Sequence, residues 1–342
     1  MKNDDRFYLT IYVPSYNRLE NVKEILTSLI LQCINLSDIQ IIIQDNHSDL
    51  EYKNKLQEVL DNLPNYQCKI EINRNQSNIG MSANILKGFE IASSEWLWLL
   101  SDDDSLNLDA VKNLLDTAKK APKGVDFIRF SSERSNVSKP QLIDSFDKFI
   151  ESSKSVNDFN SYIFVSNGIY RLSTFKKILE HGYIHSHTFV PHFMMLSNFM
   201  LNDGLSMISP LRIVNYEVPK IGFNYAMVAG LGVGVPKHIL LNKNRKTAKD
   251  FHSIFYPHND LKVLIDLYFQ TKDFNSRYEF FYLATTYIGY LRISRPWFWR
   301  RILICLVYLR FVPFGFETLV YIMQISSKTA KKHIEEIKKR YD

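Results

Sequence analysis

The chain has 342 residues, a formal net charge of +6, 46% hydrophobic residues and 23% charged residues. These fractions are close to globular averages, so they exclude a disordered or collagen-like chain. The length predicts two domains or one large domain with an extension. The three cysteines, Cys33, Cys68 and Cys305, lie far apart in the sequence. They exclude a disulfide scaffold and a thiolate zinc site, and they fit a reducing compartment.

Strand-like and helix-like segments alternate through the first 130 residues. Apolar runs predict strands, and apolar residues at helical spacing predict helices. The predicted strands are 7–13, 39–43, 68–72, 95–100 and 125–130, and the predicted helices are 21–31, 51–63, 80–92 and 108–118. This alternation predicts an α/β fold with a mainly parallel sheet flanked by helices. Ligands of such sheets bind beyond the carboxyl ends of the strands, so we expect the site in the loops after them.

The rest of the chain is less regular. Residues 131–160 are predicted to form an exposed connector with one helix, and two further strands are predicted at 162–170 and 211–216. The glycine-rich segment 230–234 follows no strand, so it is interpreted as a flexible loop and not as a dinucleotide-binding motif. We expect one domain over residues 1–235 and a helical C-terminal region over residues 236–342.

Charge separates these two regions. Residues 1–236 carry 23 basic and 27 acidic residues, a net of −4, whereas residues 237–342 carry 19 and 9, a net of +10. The basic C-terminal part favours an anionic partner, and a solvated basic surface is the alternative.

Three adjacent carboxylates, Asp102, Asp103 and Asp104, follow the apolar strand EWLWLL. Like charges this close are costly unless a cation compensates them. Mg²⁺ and Mn²⁺ prefer carboxylate oxygens and often keep phosphate ligands, so the triplet predicts a divalent metal site. The alternative is an acidic cap for the helix that follows, for which one aspartate would suffice.

Three other polar loops follow predicted strands: PSYNR from Pro14, QDNHSD from Gln44, and NRNQSNIG from Asn73. The Asp45 carboxylate can accept hydrogen bonds from a base or a ribose. The helix that starts after Gly80 can face an anion. Each loop alone also fits ordinary turn chemistry. Their order and spacing along the chain together form a pattern that is much more specific for a protein family than any one of the loops.

Taken together, VPSYNR, QDNHSD and NRNQSNIGMSANILKGFEIASSEWLWLLSDDDSL resemble segments of the inverting family 2 glycosyltransferases of bacterial polysaccharide synthesis. The resemblance covers residues 9–110 tightly and extends loosely to residue 215. It implies a Rossmann-like GT-A fold, a nucleotide-diphospho-sugar donor with UDP as the favoured nucleotide, and Mn²⁺ or Mg²⁺ as cofactor.

The resemblance also implies roles for individual residues. Pro14, Tyr16 and Arg18 line the nucleotide pocket, Asp45 reads the base, Asn78 and Asn84 face the donor, and the acidic triplet holds the metal that bridges the diphosphate. The register of the triplet stays open. Asp102 and Asp104 satisfy a D-x-D spacing, whereas the commonest form of the motif shifts the metal ligand to Asp103. Asp102 and Asp103 are also expected to contact the donor.

An inverting transfer needs a base for the acceptor hydroxyl. The Glu-Asp pair that the family usually offers well beyond the triplet is missing from this sequence. His192 stands roughly at that position, and an imidazole titrates near neutral pH. Asp203 is the alternative base. The competing interpretation is that His192 and the nearby histidines, His181, His185 and His187, serve packing, acceptor contacts or metal ligation.

The N-terminal residues do not resemble a secretory signal, and no stretch reaches 18 uncharged apolar residues, so we expect no spanning helix. Trp297, Phe298 and Trp299 precede Arg300 and Arg301 beside an apolar helix. This composition suits a helix in the membrane interface, and a core helix with an exposed basic face is the alternative. We expect a cytoplasmic protein with peripheral contact to the inner membrane through residues 290–342.

The predicted function is metal-dependent sugar transfer from a nucleotide-diphospho-sugar to a lipid-linked glycan hydroxyl in capsule or lipopolysaccharide synthesis. A non-catalytic nucleotide-sugar-binding partner of other transferases is the alternative, because the Glu-Asp pair that would supply the base is missing. A sugar nucleotidylyltransferase should have a glycine-rich, basic phosphate-binding loop after the first strand. It is disfavoured because the segment at that place, VPSYNRLEN, contains no glycine. Nucleic-acid binding is not expected, because the basic region contains a helix rich in Ile, Leu and Phe.

Overall fold

The computed structural model describes residues 7–215, apart from 50, 51, 64, 134, 154 and 189, together with residues 296–309 and scattered helical residues between 261 and 335. The chain divides into two compact units, Met1–Gly222 and Phe223–Asp342. The predicted loop at 230–234 lies outside the described residues.

The first unit is built on a large β-sheet. Its described strands are β1 (Phe7–Ser15), β2 (Ile39–Asp45), β3 (Lys69–Arg74), β4 (Ser94–Leu99), β5 (Ser105–Leu106), β6 (Phe127–Phe130), β7 (Gln141–Ile143), β8 (Gly168–Arg171), β9 (Ser206–Ser209) and β10 (Val214–Asn215). Eight of them form one sheet in the order β3-β2-β1-β4-β8-β6-β9-β7, and β5 pairs with β10. Four pairs in the large sheet are parallel and three are antiparallel, which confirms the expected mainly parallel α/β architecture.

Helices connect and cover these strands. In the first unit they are α1 (Leu19–Cys33), α2 (Tyr52–Asp61), α3 (Met81–Ile91), α4 (Ala110–Lys120), α5 (Phe146–Glu151), α6 (Val156–Ile163), α7 (Leu172–Phe175), α8 (Leu179–Ile184) and α9 (Pro191–Leu201). The second unit contains α10 (Trp297–Tyr308). No helix in the described parts of the chain is long and apolar enough to cross a membrane.

The central strands are buried on both faces, which explains their nearly continuous apolar sequences. All seven residues of β2 are buried. One face packs against the apolar stripes of α1, α2 and α4, where Leu26, Leu56 and Leu114 are fully buried. Burying a side chain of this size contributes roughly 1.5–3 kcal/mol. This core fixes the strand ends, and with them the loops that follow.

A close approach positions α3 on the other face of the sheet. A Cβ at Gly88 would lie 2.7 Å from the Tyr12 ring, so glycine allows this helix to pack directly on β1. The Tyr12 hydroxyl then donates a hydrogen bond to the backbone oxygen of Asn84 at 2.6 Å. The first turn of α3 is therefore held at one edge of the sheet.

The direction of the strands defines that edge. Strands β1 to β4 are mutually parallel, and β6 and β9 run in the same direction because β8 is antiparallel to both β4 and β6. The carboxyl ends of these six strands lie on one side, called here the carboxyl edge. The opposite side is the amino edge.

Some predicted elements are wrong. Residues 162–170 were expected to be one strand, but α6 ends at Ile163 and β8 begins only at Gly168. The cause is local: the Ser155 hydroxyl accepts a hydrogen bond from the Asp158 N–H at 3.0 Å and starts a helix. The connector at 131–160 contains β7, α5 and the start of α6 instead of one helix. Among the described residues 211–215 of the predicted 211–216 strand, only Val214–Asn215 pairs with a neighbour.

Candidate active site

The predicted loops meet at the carboxyl edge, where backbone hydrogen bonds hold them side by side. The Asn46 N–H donates to the Ser15 oxygen and the Asn75 N–H donates to the Asp45 oxygen, both at 2.8 Å. Leu100, just before the acidic triplet, donates to the Tyr12 oxygen at 2.9 Å. These bonds continue the sheet pairing beyond the strand ends, so the loops after β1, β2, β3 and β4 form one continuous surface.

Asp45 and Arg74 form the first polar pair of this surface. The parallel register of β2 and β3 places these two residues opposite each other, and Arg74 Nη1 lies 3.0 Å from Asp45 Oδ2. The Ser48 N–H donates to Asp45 Oδ1 at 2.9 Å, and Arg74 also donates to the backbone oxygens of Ser48 and Asp49. The buried Asp45 carboxylate therefore holds the turn that follows β2.

An asparagine network links that turn to α3. Asn75 Nδ2 donates to the side-chain oxygens of Asn46 and Asn84, both at 2.9 Å. Asn75 Oδ1 accepts hydrogen bonds from Gln44 Nε2 at 2.9 Å and from Lys87 Nζ at 2.6 Å. Asn75 is buried and uses both ends of its amide, which fixes the spacing of β2, β3 and α3 at the carboxyl edge.

The predicted donor residues Asn78 and Asn84 belong to this network but differ in exposure. Asn78 is exposed, and its Oδ1 accepts from Asn46 Nδ2 at 2.7 Å and from the Gly80 N–H at 2.9 Å. Gly80 has a φ of 82°, a conformation that glycine adopts without strain. Asn84 is buried and donates to the Gln44 backbone oxygen at 3.3 Å. The loop between β3 and α3 is thus tied down at both ends.

The acidic triplet lies after β4, beside the start of α1. Arg18 Nη1 is 3.0 Å from Asp102 Oδ1 and 2.8 Å from Asp103 Oδ2. The Ser101 hydroxyl donates to the other oxygen of Asp103 at 2.5 Å. Asp102 is buried, whereas the side chains of Arg18 and Asp103 are 42% and 27% exposed. Two carboxylates therefore converge on one guanidinium nitrogen at the surface of the site.

Burial raises the pKa of the Asp102 carboxyl to about 6. Arg18 and the hydroxyl of Ser15 oppose this rise, and the neighbouring Asp103 charge adds to it. The Ser15 hydroxyl also hydrogen-bonds to the Tyr52 hydroxyl at 2.5 Å. Asp102 is therefore a carboxylate whose negative charge depends on nearby cations and donors.

Asp104 has different surroundings from its two neighbours. The Ser166 hydroxyl donates to Asp104 Oδ2 at 2.5 Å and accepts from the Ser101 N–H at 2.9 Å. The Trp98 indole N–H donates to the Ser166 backbone oxygen at 2.8 Å. The buried Asp104 thus ties the triplet to the turn before β8, while Asp102 and Asp103 share Arg18.

The donor set determines whether a divalent ion fits this site. In the part of the chain that the structure describes, no three His, Cys, Asp or Glu side chains gather as metal ligands. Mg²⁺-type ions, however, are commonly bound by one or two carboxylates together with substrate phosphates and water. Asp102 and Asp103 offer two converging carboxylate oxygens, so these residues fit such an ion in combination with a diphosphate.

The other predicted pocket residues lie on the same edge. Pro14 is a partly buried residue of β1, and Tyr16, directly after this strand, is 45% exposed. Asn17 follows with a φ of 53°, and its N–H donates to the Ser48 hydroxyl at 2.8 Å. The structure therefore brings Pro14, Tyr16 and Arg18 to the loops that carry Asp45 and the triplet.

The two predicted bases, His192 and Asp203, lie at different places in the first unit. His192, in the first turn of α9, is buried, and its Nε2 is 2.7 Å from the Ile163 oxygen. Burial lowers the pKa of His192 to about 4, and its Nδ1 has no hydrogen-bond partner among the described residues. Asp203 precedes β9 and therefore lies at the amino edge, so the structure does not bring it to the triplet. His181 lies in α8 and His185 follows it; the side chain of His187 is outside the described residues.

Sequence reasoning missed several residues that build the site. Arg74 is the last residue of β3, and its register opposite Asp45 could have been inferred from the two adjacent strand ends. Asn46 and Asn75 belong to the predicted polar loops after β2 and β3, but the sequence gives no sign that their side chains form a hydrogen bond with each other. Ser166 lies 62 residues beyond Asp104, and no local pattern connects the two.

A mainly parallel sheet with Asp102, Asp103 and polar loops at its carboxyl edge defines an α/β protein whose candidate site lies where open α/β sheets bind ligands. Residues 10–204, more than half of the chain, match the family model described as Glycosyl transferase family 2. The chain belongs to this family. Membership confirms the resemblance found in the sequence and supports a transferase activity.

Relatives with assigned names match a limited part of the chain. Abequosyltransferase RfbV of Salmonella typhimurium (strain LT2) is 32% identical over 103 residues, which are 30% of this chain and 30% of that protein. Matches to the curated relatives cover 30% to 44% of their own lengths.

Solved structures are similar over most of the chain. S. aureus TarS 1–349 in complex with UDP-GlcNAc has a TM-score of 0.58 at 12% identity, with 88% of this chain and 89% of that chain covered. The mannosyltransferase PcManGT from Pyrobaculum calidifontis, in complex with GDP-Man and Mn²⁺, has a TM-score of 0.51 at 12% identity, with 98% and 87% covered. At this identity the likeness shows the fold, and it confirms the expected GT-A type.

Proposed function

We propose that the protein is a metal-dependent inverting glycosyltransferase that moves a sugar from a nucleotide-diphospho-sugar to a glycan hydroxyl in surface polysaccharide synthesis. The observation that carries the proposal is the convergence of Asp102 and Asp103 at the carboxyl edge, beside the loops of Asp45 and Asn84. Sheets of this kind bind ligands at that place. Two similar structures are complexes with UDP-GlcNAc and with GDP-Man, which supports a nucleotide-sugar donor.

In this proposal the loops divide the donor between them. Tyr16 is exposed beside β1 and offers an apolar surface to the nucleotide. An ionised carboxylate accepts up to about four hydrogen bonds. Asp45 uses two of these for Ser48 and Arg74, which leaves capacity for a donor on the base. Asn78 and Asn84 position the loop that faces the donor sugar.

Asp102 and Asp103 would hold the divalent ion. When bound, such an ion stabilises the negative charge of a departing diphosphate. Arg18, at the same edge, carries a guanidinium that pairs well with phosphate oxygens. Asp102 is buried, so water is kept from one side of Asp102 and Asp103. Less screening by water strengthens the attraction of these two carboxylates for cations.

A nucleotide screen tests the proposal. Binding of UDP, GDP, CDP and dTDP is measured by calorimetry with and without Mn²⁺, on wild type, Asp103→Ala and Asp116→Ala. Asp116 is an exposed residue of α4, so its variant makes the same charge change away from the site. We expect one nucleotide to bind in a Mn²⁺-dependent way, with loss of binding only in Asp103→Ala.

Failure of all four nucleotides to bind the folded wild type would contradict the proposal. Nucleotide binding without sugar transfer to any glycan acceptor would instead favour the non-catalytic binding protein. Transfer with retention of the anomeric configuration, measured by NMR of the product, would contradict the inverting mechanism.

We further propose that α10 docks on anionic membrane and brings the enzyme to a lipid-linked acceptor. Trp297 and Phe298 are each 60% exposed and Ile302 is 44% exposed, whereas Leu303 and Val307 on the other side of the helix are buried. The Arg301 guanidinium lies 3.8 Å from the centre of the Trp297 ring. An aromatic and basic helix face in a region of net charge +10 suits an anionic lipid surface.

Vesicle co-sedimentation tests this contact. Trp297→Ala combined with Phe298→Ala is expected to weaken binding to anionic vesicles at least about tenfold, since two large apolar side chains no longer enter the interface. Leu108→Ala is the control, because Leu108 is 88% exposed in the first unit. Equal binding of the double variant and wild type would contradict the contact.

A further inference from the structure

Arg18 is the cation that the acidic pair holds. One nitrogen, Nη1, approaches Asp102 Oδ1 at 3.0 Å and Asp103 Oδ2 at 2.8 Å. One positive charge is thus shared by two negative charges. Asp102 is 5% exposed and Arg18 is 42% exposed, so the cation is the partner that can leave towards solvent.

The backbone at Arg18 is anchored although its side chain is exposed. Asn17, in a left-handed conformation, donates its N–H to the Ser48 hydroxyl at 2.8 Å. The Arg18 oxygen accepts from the Val22 N–H at 3.1 Å as α1 begins. The guanidinium can therefore change partners by side-chain rotation while the fold stays the same.

We propose that a divalent ion displaces Arg18 from Asp102 and Asp103, and that this displacement couples metal binding to nucleotide binding. The inference rests on the proposed nucleotide-sugar site. An ion of the Mg²⁺ type binds carboxylate oxygens at about 2.1 Å. It needs the same oxygens that Arg18 Nη1 approaches to 2.8 and 3.0 Å, so the two cations compete.

The displaced guanidinium has a new partner when a diphosphate is present. Arginine binds phosphate oxygens in a bidentate manner, and Arg18 starts from the same edge of the sheet. Once the metal has displaced it, the Arg18 guanidinium can bind the phosphates. These contacts replace the ion pairs that Arg18 loses with Asp102 and Asp103. Each ligand therefore raises the affinity for the other by the same factor. Arg18 is in this sense a positioning residue that makes metal and nucleotide bind together.

Mn²⁺ titrations followed by electron paramagnetic resonance test this on the full chain. Arg18→Met is expected to raise the Mn²⁺ affinity measured without nucleotide about tenfold, which corresponds to about 1.4 kcal/mol. It is also expected to reduce the factor by which UDP, GDP, CDP or dTDP raises Mn²⁺ affinity. Arg18→Lys, with one compact ammonium on a shorter stem, is expected to give a smaller increase in the nucleotide-free measurement.

Lys23→Met is the matched control, because it removes a positive charge from α1, the helix that directly follows Arg18, at a residue paired with Glu20. We expect it to change neither the Mn²⁺ affinity nor the coupling. If Arg18→Met binds Mn²⁺ without nucleotide no more tightly than wild type does, the proposed role of Arg18 is overturned. If Asp103→Asn has at the same time lost Mn²⁺ binding, the metal site itself is retained. Failure of wild type to bind Mn²⁺ with any of the nucleotides would overturn the metal part of the proposed function, and this inference with it.

Discussion

His192 is predicted to destabilise the folded protein in acid, because its imidazole is buried. Burial lowers the pKa of His192 from 6.5 to about 4, and Nδ1 has no hydrogen-bond partner among the residues described. The unfolded imidazole binds a proton near pH 6.5 and the folded one only near pH 4. Between these values protons favour the unfolded chain, so the free energy of unfolding falls as the pH is lowered.

The size of this effect follows from the shift in pKa. A difference of about 2.5 units, at about 1.36 kcal/mol per unit, gives roughly 3 kcal/mol of stability that is present at pH 7 and lost by pH 4. His192→Gln keeps a neutral donor for the Ile163 oxygen and does not titrate. We therefore expect the variant to lose roughly 3 kcal/mol less than wild type over this interval.

Urea unfolding at a series of pH values measures the difference. The buried residues Trp96 and Trp98 report the first unit by fluorescence, and all other titrating groups are common to both proteins. Equal losses of stability in wild type and His192→Gln would refute the reasoning. The same variant tests the predicted base: retained transfer activity is expected for a packing role, whereas a loss of about 10²–10⁴-fold would show that His192 is the base.

Two further changes test how the site is held. Arg74→Met is expected to destabilise the protein by about 3 kcal/mol and to weaken nucleotide binding, because it leaves the buried Asp45 carboxylate without its cation; unchanged urea unfolding would contradict this. Gly88→Ala is expected to cost about 1–3 kcal/mol, because the new Cβ would lie 2.7 Å from the Tyr12 ring. Gly289→Ala, whose new Cβ meets no atom of the described residues within 4 Å, is the control, and an equal loss in both glycine variants would contradict the packing argument.

The elements of the first 130 residues were predictable because their apolar periodicity reflects burial on a central sheet. Strands β1 and β2 continue two residues beyond the predicted ends, since their pairing extends through Ser15 and Asp45. Those two residues are polar, so their composition indicated a loop. Backbone pairing, which has no side-chain signature, decided the boundary.

The chemistry of the triplet was predictable only in part. Three adjacent aspartates at a strand end indicate a cation site, but the sequence treats them as equivalent. The structure separates them by their partners, Arg18 for Asp102 and Asp103, and Ser166 for Asp104. These partners lie 62 to 85 residues away along the chain, so only tertiary packing could reveal the division.

The base was the least predictable feature. The prediction of His192 rests on its place in the sequence and on the usual pKa of an imidazole. Its burial and its hydrogen bond to the Ile163 oxygen, 29 residues earlier in the chain, come from tertiary packing and have no local signal in the sequence. The prediction of Asp203 rests on position alone, and the direction of β9 places this residue at the amino edge.

The decisive experiment is a crystal structure with Mn²⁺ and the nucleoside diphosphate selected by the screen. We expect the diphosphate at the carboxyl edge, with Mn²⁺ on Asp102 and Asp103, and the base beside the turn that follows Asp45. Nucleotide bound at the amino edge, or at the carboxyl edge without contact to Asp102, Asp103 or Arg18, would contradict it.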